Sequence, residues 1–196
     1  MKTLRSAAVT TAAVGLTFTS LSWASAAPGP AFLAASQLPP SLTAWAAGPV
    51  TAGLPDDFCT GNTAPKAASK YRLFHTELDT NARQTITVAA SEAKAKQLVT
   101  NLRNRIETCF DRLRAENPNL DGEAFYWGAL PVEEGAHVYS IDTFDPVGGA
   151  NDVSLYSVGR DGRTVTVVAW GQLGDASDAA VKAFQKTTTT AVNKLY

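Results

Sequence analysis

The stretch Asn151–Gly171, NDVSLYSVGRDGRTVTVVAWG, decides the fold class. Two runs rich in Val, Thr and Tyr flank Asp161-Gly162, a residue pair suited to the positive φ of a two-residue hairpin turn. The runs alternate, so the stretch predicts an antiparallel hairpin with strands Asn151–Arg160 and Arg163–Gly171. With Asp161-Gly162 as the turn, Val158 pairs with Val165 and Tyr156 with Val167 on one face. Ser157 with Thr166, Leu155 with Val168 and Val153 with Trp170 make the other. Both faces carry apolar side chains, so both need cover.

Upstream, Ala124–Val132 and Ala136–Phe144 flank Glu134-Gly135 and predict a second hairpin. That turn pairs Ala129 with Ser140, Trp127 with Asp142 and Phe125 with Phe144, leaving Leu130 with Tyr139 and Gly128 with Ile141 on the reverse. Tyr71–Thr80 and Gln84–Ala89 read as two further strands. Ser91 suits the N-cap of a long helix that Pro118 halts near Asn117. Its apolar stripe is Ala95, Leu98, Val99, Leu102, Ile106, Cys109, Phe110 and Leu113. Lys94, Arg105 and Arg112 border the stripe on one side and Lys96, Arg103 and Arg114 on the other, where long basic side chains lay their stems on apolar surface. A closing helix is expected over about Ser177–Leu195, although β-branched Thr187–Thr190 lower its propensity. The order predicts an α+β fold: an antiparallel sheet of about six strands with helices on one face, a long central helix and a C-terminal helix.

Residues 27–69 are rich in Ala, Pro, Gly and Thr, and predict a short helix over Ala31–Gln37 followed by an extended strap anchored by Leu38, Trp45 and Phe58. Cys59 and Cys109 are the two cysteines. A bridge between them pins the strap to the helix stripe, and closing a loop of about 50 residues contributes about 4 kcal/mol in the chain-entropy model. Strap and body (70–196) then form one domain.

Residues 1–26 have the order of a secretory leader. Lys2 and Arg5 precede an apolar run from Ala7 to Trp23, and Ala24-Ser25-Ala26 offers a cleavage site. Export favours the disulfide. No second long apolar segment follows, so no membrane span is expected in the mature chain. With 17 basic and 18 acidic residues the chain lacks the basic excess of a nucleic-acid binder.

No catalytic motif stands out, and no cofactor is implied. The two histidines, His75 and His137, fall outside any HExxH pattern, and GxSxG, P-loop and dinucleotide signatures are missing. His75, Glu77 and Asp79 alternate on one predicted strand, too few ligands for a metal site on their own. The hairpin registers point instead to a cleft lined by Phe125, Trp127, Phe144 and Trp170 with Asp142 as its polar contact. The strap competes with a ligand for that face, because large exposed apolar patches are uncommon.

These features resemble the extracellular sensor domain of the mycobacterial serine/threonine protein kinase H group and its secreted or lipid-anchored actinobacterial relatives. The resemblance rests on Leu38-Pro39-Pro40 followed by Trp45, then Cys59, the long helix around Cys109, the hairpin Val158–Val165 and the Ala-rich closing helix. It implies an α+β domain with an antiparallel sheet and a cleft for an unidentified extracellular ligand, with no catalytic residues to carry over. Two disulfides are usual in the kinase-linked domains, whereas one pair is available here. With no kinase and no transmembrane segment, the resemblance carries binding and not signalling. The expected function is that of a secreted, non-enzymatic, sensor-like module for a small molecule or cell-surface component. The alternatives are a secreted hydrolase with a site assembled from His75, His137 and Asp142, or a protein–protein interaction module at the cell surface.

Overall fold

The computed structural model describes residues 29–196; the expected leader, residues 1–26, lies outside them. One antiparallel sheet of seven strands organises the chain, in spatial order β1-β2-β3-β7-β6-β5-β4. The strands are β1 (Ala46–Ala52), β2 (Ser69–His75), β3 (Asn81–Val88), β4 (Asp121–Leu130), β5 (Ala136–Phe144), β6 (Asn151–Asp161) and β7 (Thr164–Leu173). The helices are α1 (Glu92–Glu107), α2 (Cys109–Glu116) and α3 (Val181–Asn193). The sequence suggested about six strands. The seventh is β1, inside the segment expected to be an extended strap.

Helices lie on both faces of the sheet, which corrects the expectation of a single helical layer. On the first face α1 and α2 place Leu98, Leu102, Ile106 and Phe110 against Tyr139, Ile141, Tyr156, Val158, Val165 and Ala169. On the second, α3 places Phe184 and Ala191 against Val138, Val153, Leu155, Val168 and Trp170. A fully buried sheet has apolar residues at every position, not every other one. That is why both faces of the β6–β7 hairpin read as core.

The expected long helix is two helices. Thr108 leaves helical geometry (φ −97°, ψ 12°) and serves as the C-cap of α1 and the N-cap of α2. Ser91 caps α1 as expected, its Oγ accepting from the Lys94 N–H at 3.3 Å. The closing helix is shorter than expected at its start, since a 3₁₀ turn at Ala176–Asp178 precedes α3. Likewise Ala31–Gln37 holds a single 3₁₀ turn, Ala35–Gln37.

The N-terminal segment divides between the faces. Leu33 and Leu38 enter the second-face core beneath α3. Gln84, fully buried, fixes them there: its Oε1 accepts from the Leu33 N–H at 2.7 Å and its Nε2 donates to Thr166 Oγ1 at 3.1 Å. Arg72 donates to the Leu33 carbonyl and Thr187 to that of Gln37. After β1 the chain crosses to the first face, where Leu54, Cys59 and Ala64 join the core of α1 and α2. The Cys59–Cys109 disulfide closes that contact, with the Cα atoms 5.1 Å apart. Beside it the buried Asp57 carboxylate pairs with Arg83 and accepts from the Thr60 N–H and hydroxyl.

Both hairpin registers differ from expectation. In β6–β7, Asp161 pairs with Thr164 and Leu155 with Trp170, so Gly162-Arg163 form the turn, with Gly162 at φ 53°. The slip of two positions on β7 leaves every side chain on its expected face. In β4–β5, Leu130 pairs with Ala136 across a five-residue loop in which Glu133 and Gly135 are left-handed (φ 44° and 102°). A bulge at Trp127 then shifts the ladder again, so Phe125 pairs with Ser140 and Glu123 with Asp142. β2 ends at His75, so Glu77 and Asp79 lie in the turn to β3 and the expected three-residue face does not form.

Candidate functional site

The two edges of the sheet differ in kind. β1 carries Pro49, which blunts an edge. β4 has neither Pro nor Lys and is almost wholly exposed, with Phe125, Tyr126 and Trp127 at its centre. The bulge at Trp127 explains their presentation. It turns Trp127 to the second face beside Phe125, while Tyr126 faces α1. The Phe125 and Trp127 rings meet edge-on, with centroids 4.8 Å apart.

Trp127 is held and not free. Its Nε1 donates to Ser140 Oγ at 2.9 Å. Even so, 41% of the residue is exposed. Beside it opens a groove of about 580 Å³, lined by Ala176, Ala179, Ala180, Val181, Lys182, Ala183 and Gln185 from the approach to α3 and its first turns. Small alanine side chains keep the helix from filling the space in front of the indole.

Next to the groove stands a set of carboxylates. Glu123 and Asp142 are directly paired across β4 and β5, an arrangement that repels. Burial raises the Asp142 carboxyl above its ordinary pKa. The N–H of Ala176 opposes the rise, while the charges of Asp175 and Glu123 add to it. Asp142 Oδ1 is buried with no hydrogen-bond partner among the described residues.

The five expected cleft residues therefore separate. Phe125 and Trp127 are exposed and adjacent, and half-buried Asp142 lies beside them. Phe144 pairs with Asp121 at the end of β5, on the same face but away from the groove. Trp170 is only 2% exposed and packs with Phe184 and Leu155, so it is core and not a cleft wall. No described residue of the strap lines the groove; its Leu33 and Leu38 are committed to the central core.

On the first face a polar cluster lies at the same sheet edge. Arg103 Nε donates to Tyr139 Oη at 2.8 Å, and Tyr139 donates to Glu107 at 2.9 Å. The Tyr126 hydroxyl lies 2.8 Å from His137 Nδ1, and the Arg103 guanidinium stands over the Tyr126 ring. Burial lowers the His137 pKa, with Arg103 adding to the effect and Glu107 opposing it. Burial likewise raises that of Tyr139. Sequence periodicity could place Arg103 beside the stripe of α1, but only the true β4–β5 register brings Tyr126 to it.

The residues considered for a hydrolase do not meet. His137 pairs with Val158 of the first-face core and Asp142 with Val153 of the second, so they occupy opposite faces of β5. His75 sits at the end of β2, with three strands between it and β5. Among the described residues no three His, Cys, Asp or Glu side chains converge as metal ligands, and no helix is long and apolar enough to cross a membrane. A second, polar pocket of about 210 Å³ lies between Asp79, Asn81, Asp152 and Ser154. Its one cation, Arg83, is already paired with Asp57. Comparisons with protein-family models, curated proteins and solved structures find no match to this chain.

Proposed function

We propose that this chain is an exported, non-enzymatic binding domain of the sensor-like kind that takes a ligand in the groove between Trp127 and α3. One observation carries this reading: an indole fixed by Ser140 yet open to solvent faces a concave wall of alanines. A residue needed only for packing would be covered. An anchored aromatic beside an open groove is the common form of a small-molecule site, where apolar walls supply affinity and a few polar groups set orientation. Export is supported by the leader-like start and by the disulfide, which persists in oxidising compartments. The catalytic alternative has less support, because its residues lie apart.

The test uses a neutral apolar dye. N-phenyl-1-naphthylamine should bind the wild-type protein saturably with enhanced emission. Trp127→Ala should lose at least about tenfold in affinity while keeping its circular dichroism spectrum and melting temperature. Unchanged dye binding in the variant would remove the groove as the site. A collapse of folding would show that Trp127 is a structural residue.

A further inference from the structure

Where the N-terminal segment meets the start of α1, the surface opens into another groove of about 390 Å³. Pro65 and Ala68 form one side, Val88, Ala89 and Ala90 continue it past the end of β3, and Leu98 closes it from α1. The walls are tied down. Buried Ser69 donates to the Pro65 carbonyl at 2.8 Å, and its Oγ lies 2.8 Å from Thr87 Oγ1 of β3. The Ala89 N–H donates to the carbonyl of Arg163 in the β6–β7 turn. The groove is therefore part of the fold and not a gap beside a loose segment.

Among the described residues, Lys94 is the one ionisable side chain that lines it. Helical spacing sets Lys94 on one face of α1 with Gln97, Leu98 and Asn101. Lys94 Nζ donates to Gln97 Oε1 at a long 3.4 Å and belongs to no salt bridge among the described residues. Lys66, next to Pro65, and Arg163, bonded to Ala89, are in no such salt bridge either. Glu92, in the first turn of α1, does not line the groove. An aliphatic floor thus meets an uncompensated cation at the rim.

We propose that this groove binds a medium-chain acyl carboxylate, its chain on Pro65, Val88 and Leu98 and its carboxylate on Lys94. Charge complementarity sets the sign of the ligand. The lining sets its body: no aromatic ring is present to stack on a planar ligand, so aliphatic contact is what the floor offers. A single ammonium beside the amides of Gln97 and Asn101 suits one carboxylate, whereas no arginine lines the groove to form a fork on a phosphate. The volume lies near the small end of ligand pockets, about 300–1,000 Å³, which holds the chain to a medium length. The site lies beside α1, across the sheet from the groove at Trp127, and does not depend on that groove being occupied.

Octanoate and octanamide share a chain and differ in charge. Each is titrated into the isotope-labelled mature chain at neutral pH, with amide shifts to locate it and calorimetry to measure affinity. Octanoate should shift the amides of Ala89, Ala90 and Leu98 saturably and bind at least about tenfold tighter than octanamide. Lys94→Gln, at an exposed position, should bring octanoate down to the level of octanamide. Ala68→Leu, also exposed, narrows the groove and should weaken both ligands. Equal affinities, or octanoate binding indifferent to Lys94→Gln, overturn the acyl carboxylate. Shifts confined to Trp127, Ser140 and the first turn of α3 overturn this site while leaving the other groove standing, and no saturable shift at all overturns it as well.

Discussion

His137 shows how a single residue ties the edge of the sheet to pH. Its ring is half-buried, with Arg103 nearby and Glu107 opposing, and its pKa is lowered from the ordinary 6.5. A base with a lowered folded pKa prefers to fold neutral, so the unfolded chain takes up the proton first as pH falls. Stability is therefore complete above about pH 6.5, declines from there towards the folded-state pKa, and levels out below it. His137→Gln should remove this step, because a glutamine keeps a polar contact to the Tyr126 hydroxyl but does not titrate. Melting temperatures of both proteins between pH 7.5 and 5.5 test it. The wild type should lose more than the variant over that range, and parallel curves would show that the His137 environment does not discriminate between its two charge states.

At the scale of elements, Gly159 decides how closely α3 approaches the sheet. It lies on β6 opposite Ala136, and a Cβ there would strike Val192 of α3. Gly159→Ala should lift the C-terminal half of α3 and cost about 1–3 kcal/mol, as overpacking does. Val192→Ala in the same chain should return part of the loss, since it removes the methyl that clashes. Urea midpoints of the single and double variants decide this; additive losses would mean that the two residues do not press on one another. The same elements explain what could be read beforehand. The β6–β7 faces were legible because a slip of two preserves the side-chain period. The β4–β5 register was not, since Glu133 takes a left-handed conformation unusual for its type and Trp127 bulges out of the ladder. β1 was hidden because AAGPVTA has little strand character of its own and pairs only because β2 offers an edge. The disulfide and the helix stripe were legible from compartment and periodicity. Of the groove, Trp127 could be picked out, with Phe125 and Asp142 beside it on the same sheet face, but the alanine wall of α3 could not, because nothing local says that the closing helix packs on that side.

Over the whole molecule, the Cys59–Cys109 bond holds one part of the N-terminal segment and not the rest. Residues 31–38 are fixed on the second face by Gln84, Arg72 and Thr187, and β1 by its ladder to β2. Only the crossing from Leu54 to Ala64 depends on the bridge, helped by the Asp57–Arg83 pair. Cys59→Ser should therefore lower global stability by about 2–4 kcal/mol by opening the loop that the bridge closes in the unfolded chain, while releasing native structure in that crossing alone. Hydrogen exchange mapped by peptide separates the two effects. Amides around Asp57–Gly61 should exchange faster in the variant, whereas those of residues 31–38 and β1 should change only with global unfolding. Uniform acceleration from residue 31 to residue 68 would mean that the strap is held as one unit by the disulfide and that its contacts on the second face do not suffice alone. Dye binding at Trp127 should survive the substitution under native conditions. The groove and the bridge lie on opposite faces, and the intervening sheet is packed on both sides by independent cores.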